Sequence, residues 1–265
     1  EGKNEFRNGG IHVPEGSSVC IEGDGDLSIV NKKKQCFGIG ADYTKKFGSI
    51  EIAVNGTLDI NLDGENCIGI GGGIGTESSL VRTVGDNMKV NIVCVGSDCV
   101  GIGSMKGKAP IDLSGGSVKV SFDCQNGVGV GSFEGEQKTG IARMRLAVSA
   151  TGNEVAALGC KGEAKGAIEI MSSKVRVDIT ASEGIMFGSR TGNIKLCSED
   201  SKISLFGTGS NILGIGSRTG NGSILFKKTT FEGLISSQNP VKMSADFENA
   251  MLDEVTDEVR VEKML

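Results

Sequence analysis

A four-residue unit, apolar-Gly-apolar-Gly, recurs along nearly the whole chain, and near-constant spacing of this kind admits only repeat architectures. The clean copies are Phe37-Gly38-Ile39-Gly40, Ile68-Gly69-Ile70-Gly71, Val100-Gly101-Ile102-Gly103, Val128-Gly129-Val130-Gly131 and Leu213-Gly214-Ile215-Gly216. Two degenerate copies, Ala156-Ala157-Leu158-Gly159 and Ile185-Met186-Phe187-Gly188, fill the gap. The closing glycines fall at 40, 71, 103, 131, 159, 188 and 216, with separations of 31, 32, 28, 28, 29 and 28 residues.

Each period also holds two short runs in which apolar and polar residues alternate, the mark of half-buried strands. Examples are Ile50-Glu51-Ile52 with Leu58-Asp59-Ile60-Asn61-Leu62, and Ile111-Asp112-Leu113 with Val118-Lys119-Val120-Ser121-Phe122. Helical spacing is missing from the repeats, and four-stranded propeller blades need a longer period of about 40 to 45 residues. The pattern predicts an all-β chain: a parallel β-helix of about eight coils, 28–32 residues each, with three short strands per coil. The general preference of parallel crossovers makes it right-handed.

Stacking would place Ile39, Ile70, Ile102, Val130, Leu158, Phe187 and Ile215 over one another as a ladder. At about 4.8 Å per coil the rod is on the order of 35 to 40 Å long. Residues 10–40 read as an incomplete first coil, with a turn at Pro14 and Gly16, and the solenoid is expected over 1–245. Residues 246–265 differ: they carry seven acidic residues, and Phe247, Met251, Val255 and Val259 recur at four-residue spacing. That segment is expected to be an amphipathic cap or helix, or the start of a following segment.

The stretch from Ile11 to Gly40 and the Gly-Ile-Gly units after it resemble the glycine-rich right-handed parallel β-helix regions of bacterial surface and secreted proteins, which are described as adhesin-like or carbohydrate-binding. The resemblance covers roughly residues 10–245. It implies a non-catalytic cell-surface or secreted module that presents a long face to a glycan or host molecule, with any signal peptide already removed. Two other readings stay open, a structural stalk and a β-helical polysaccharide lyase or hydrolase. No catalytic signature of that enzyme class can be carried over onto this chain, because the motifs specify coil geometry and no reaction.

The residue two places past each closing glycine occupies an equivalent position in every coil: Asp42, Gly73, Met105, Phe133, Lys161, Arg190 and Arg218. Three consecutive coils thus carry a cation, and Gly188-Ser189-Arg190-Thr191-Gly192-Asn193 is repeated identically from Gly216 to Asn221. Stacked cations about 5 Å apart repel unless an anion neutralises them, so Lys161, Arg190 and Arg218 are the candidate ligand-binding row for an acidic glycan. The bland alternative is a solvated loop whose identity reflects repeat duplication.

Other candidates carry less. Gly69 to Gly75 lacks both the G-x-G-x-x-G spacing and the following helix of a phosphate loop. His12, the single histidine, sits in a short apolar run and removes most chemistry that needs an imidazole base. The cysteines at 20, 36, 67, 94, 99, 124, 160 and 197 show no C-x-x-C pair. They read as small apolar ladder residues, reduced and buried, although stacked Cα spacing also permits a disulfide. No metal or cofactor is expected. A net charge of −5 argues against nucleic acid as the main partner, and no apolar run approaches the ~20 residues of a membrane helix. The absence of tryptophan, with one tyrosine and ten phenylalanines, weakens a lectin built on aromatic platforms, and the sequence shows no regular outward threonine ladder.

Overall fold

Alternation decides which side chains go inside. In the strand Thr57–Asp63, Leu58, Ile60 and Leu62 are buried while Asp59 and Asn61 point away from the core. A single strand of this kind has nothing to cover its apolar row, so the next period is laid on it in register. Leu58 pairs with Val90, and the row continues through Val118, Leu146, Val175, Ile203 and Phe231, none more than 3 % exposed.

Repeating this on three faces gives a parallel β-solenoid of about eight turns, seen in a computed structural model that describes residues 2–220, 222–243, 251–254 and 256–263. The first face stacks Lys3–Arg7, Asp26–Asn31, Thr57–Asp63, then 89–95, 117–123, 145–151, 174–180 and 202–208, then Thr230–Ser237 and Thr256–Lys263. The second begins with Ile11–His12 and Gln35–Gly40 and carries the glycine anchors. The third begins with Ser18–Gly23, Ser49–Val54 and Val81–Thr83. The anchor ladder Ile39, Ile70, Ile102, Val130, Leu158, Phe187 and Ile215 forms in register as expected, and every member is at most 3 % exposed. Each such side chain contributes roughly 1.5–3 kcal/mol of burial.

Three expectations are corrected. The strands are not all short: Lys89–Lys108, Ser117–Ala142, Arg145–Met171, Lys174–Thr191 and Lys202–Thr219 run through the corners, because rung-to-rung pairing resumes on both sides of positive-φ glycines such as Gly103, Gly131 and Gly159. The first coil begins at Lys3 rather than Gly10, since Lys3–Arg7 already pairs with residues 26–30. The helix expected within 246–265 is replaced by strands Met251–Asp253 and Thr256–Lys263, which pair with the third and first faces. An open edge of unpaired N–H and C=O groups outweighs a weak four-residue pattern, and Val259, 8 % exposed, comes to lie in register with Gly233, where the inward row lacks a side chain. Phe247 and Val255 lie outside the described residues.

The closing glycine of each anchor is fixed by a close approach. Gly71 has φ +134°, and a Cβ there would overlap the carbonyl oxygen of Gly103 on the next rung. Gly16, with φ +77°, has open space around the same hypothetical atom. Gly71→Ala should therefore lose more than about 3 kcal/mol, while Gly16→Ala should lose only about 1–2 kcal/mol, the left-handed penalty alone. Urea denaturation of the two variants checks this; equal losses would disprove the steric account.

Candidate functional site

Lys161, Arg190 and Arg218 do come together. The glycines that precede them, Gly159, Gly188 and Gly216, are in register on the second face. The chain then folds back over the outer side of that face, where the first apolar residue of each anchor lies. Ile68, Val100, Val128, Ala156, Ile185 and Leu213 form clusters separate from the interior and are at most 4 % exposed. In the earlier rungs Tyr43, Met105 and Phe133 pack on this outer row. In the later rungs Lys161, Arg190 and Arg218 enclose, with Val155 and Ile185, a space of about 10 Å³, room for no more than one water. Their aliphatic stems thus continue the cover that Met105 and Phe133 begin, a common use of long cationic side chains.

The charged heads find partners on the molecule itself. Lys161 Nζ donates to Asn126 Oδ1 at 2.8 Å, pairs with Glu154 Oε2 at 3.1 Å and lies 5.1 Å from the Phe133 ring centre. Arg190 reaches Glu154 at 3.3 Å and Glu183 at 3.5 Å. Arg218 Nη2 donates to the carbonyl oxygens of Gly184, at 3.3 Å, and Asn211. The Lys161 hydrogen bond holds the Glu154 carboxyl below the usual carboxylate range, and burial lowers the pKa of Arg218. The repulsion that stacking implies is met by Glu154, Glu183 and two carbonyls. Spacing located the row, but it did not reveal these partners, which sit 34 to 36 residues before the cation or, as Glu154, Glu183 and Asn211 do, earlier in the same strand.

The first face carries a surface that the periodicity of the anchor did not draw out. Arg145, Lys174 and Lys202 stand on consecutive rungs of one outward row. Thr151, Thr180 and Thr208, all exposed, form a three-rung threonine ladder on the same face, correcting the expectation that no such ladder exists. It is short because Asp123 and Ser236 occupy the adjoining rungs. Reading every residue six places after the start of each first-face strand would have found it.

The remaining candidates resolve into structure. The glycines from 69 to 75 make a corner: a Cβ on Gly73 would overlap the backbone of Tyr43, and no helix follows. His12 is exposed on a two-residue strand, 6.1 Å from the Phe37 ring. Cys36, Cys67 and Cys99 stack in register on the second face, with the sulfurs of Cys36 and Cys67 at 3.0 Å. All eight thiols are free and six are buried. Hydrogen bonding to Cys67, and then burial, hold the Cys36 thiol well above its ordinary value. Among the described residues no group of three or more His, Cys, Asp or Glu side chains could hold a metal ion. Comparisons with family models, curated proteins and solved structures give no match to this chain.

Glu154 titrates below its unfolded value, so its stabilisation is complete above the ordinary carboxylate pKa and fades as pH falls through the folded one. Glu154→Gln should cost about 1 kcal/mol at neutral pH and progressively less as pH falls below the ordinary carboxylate range, by urea denaturation across that range. A pH-independent loss would mean that packing, not charge, is what Glu154 supplies.

Cys20 is the exposed thiol, and partial desolvation, followed by the carboxylates of Glu51 and Glu22, raises its pKa. In the native protein it should react first with a thiol reagent, and Glu51→Gln should speed that reaction several-fold at neutral pH by raising the thiolate fraction. No acceleration would remove Glu51 as a cause.

Proposed function

We propose that this chain is a non-catalytic binding module of the bacterial surface or secreted kind, which presents its long first face to an acidic glycan or a host surface molecule. The observation that carries the reading is the outward lattice of that face. Arg145, Lys174 and Lys202 stand one strand spacing apart, and beside them runs the hydroxyl ladder of Thr151, Thr180 and Thr208. Side chains 28 or 29 residues apart in the sequence become neighbours on a stiff frame, a surface suited to following a polymer rather than enclosing a small molecule. Among the described residues the two carboxylates with displaced acidity, Glu154 and Glu232, are both held down by cations and hydrogen bonds, the opposite of what a general acid needs. In this reading Lys161, Arg190 and Arg218 close the second face and leave a small positive margin there.

A structural spacer is the second reading. It is favoured by the ion pairs that join neighbouring rungs, such as Lys32 with Asp63, Lys34 with Glu65 and Arg82 with both Glu51 and Asp112. A glycan array containing uronic-acid and sulfated polysaccharides, with the mixtures analysed for cleavage products, separates the readings. Saturable, salt-sensitive binding without products is the expected result. Products would replace the binding module with a lyase or hydrolase, and a blank on both would leave the spacer.

A further inference from the structure

Several outward cations of the solenoid face an acid on an adjacent rung. Lys46 pairs with Glu15 at 2.9 Å, Lys108 with Glu136 at 2.7 Å, Lys106 with Glu134 at 4.0 Å and Lys202 with Glu232 at 2.6 Å. One stretch of the first face gathers cations that have no such acid. Lys89, Lys119, Arg143, Arg145 and Lys174 are all exposed, and among the described residues none of them makes an ion pair. They occupy four consecutive rungs: Lys89 lies opposite Ser117, Ser117 opposite Arg145, and Arg145 opposite Lys174.

These five cations line two adjoining grooves. One, of about 640 Å³, runs along the corner between the third and first faces and includes Lys89, Arg143, Arg145 and Lys174, with Asp86 its single acidic lining residue. The other, of about 390 Å³, lies on the first face itself and includes Lys119, Arg145 and Lys174, with the small side chain of Ala147 between Lys119 and Arg176 and no acid in its lining. Ser117, Arg145 and Lys174 border both, so the two form one trough. Arg143 enters it from a left-handed corner, φ +51°, a conformation that recurs at Ser172, Asp200 and Lys228 and is therefore a property of the coil.

We infer that this trough is the binding site for a linear acidic polysaccharide, bearing carboxylates or sulfates, laid along the solenoid axis; the inference rests on the functional reading above and places its site. Four rungs span about 14 Å at the usual strand spacing, and unpartnered cations recur on each of them. A single anion would engage two or three of the five, whereas a repeating anionic chain meets all of them. Against the chain's net charge of −5 the patch is locally positive, which suits a counter-charge on a partner. A sugar polymer fits better than a nucleic acid because neither groove is lined by an aromatic side chain on which bases would stack.

The test titrates the 265-residue chain with heparin, with polygalacturonate and with a single-stranded oligonucleotide, by calorimetry at low and at physiological salt. Arg145→Ser with Lys174→Ser removes two trough cations; Lys32→Ser with Lys34→Ser removes two exposed cations elsewhere. All four positions are exposed, and circular dichroism confirms that each variant keeps the β fold. At least tenfold weaker polysaccharide binding is expected for the trough variant, with a shallower salt dependence, against twofold or less for the control. Equal losses in both variants, or an unchanged trough variant alongside a binding parent, would overturn the site, while the parent's binding would still support an acidic-glycan ligand held elsewhere on the solenoid. A parent that binds neither polysaccharide would overturn the acidic-glycan reading and the site with it. Tighter binding of the oligonucleotide than of both polysaccharides would overturn the ligand class.

Discussion

Parallel pairing of each rung with the next is the interaction on which the rest of this molecule depends. A single period buries no complete core, and the row Leu58, Val90, Val118, Leu146 and onward becomes an interior only because backbone hydrogen bonds hold each coil on its neighbour. The same pairing sets the distance at which corners meet. Gly40, Gly71 and Gly103 face one another there with positive φ, and the carbonyl of each successive glycine occupies the space where a Cβ would stand. The glycine anchor is therefore a packing requirement, and it needs no ligand to explain it.

In-register stacking also brings like residues together, and the molecule handles this in three ways. Apolar residues stack without cost and build the core. Charged residues alternate in sign between rungs, as in the Glu51, Arg82, Asp112 series. Where three cations recur, at Lys161, Arg190 and Arg218, glutamates and carbonyls of the outer second face meet them while their stems shield the apolar row beneath. The trough around Arg145 and Lys174 is a place where none of these solutions is used and several cations line one groove.

The thiol ladder follows the same rule in a buried setting. Cys36, Cys67 and Cys99 are small enough to fill one row beside the anchors, and hydrogen bonding along the row, then burial, holds the Cys36 and Cys99 thiols above their ordinary value. Their stacking is a consequence of the repeat rather than a separate device.

Sequence periodicity by itself determined the fold class, the strand positions and the core: the spacing of the closing glycines fixes which residues share a rung, and alternation fixes which face inward. It also located the Lys161, Arg190 and Arg218 row. Tertiary structure alone decided what that row does, because Glu154, Glu183 and Asn211 recur with the period themselves but meet the cations only through the fold of the corner. It likewise decided that 251–253 and 256–263 continue the strands, since an open sheet edge is a feature of the assembled coil and not of a local pattern. Whether a surface cation has a partner depends on the rungs above and below it, and only the stacked structure puts those rungs in view.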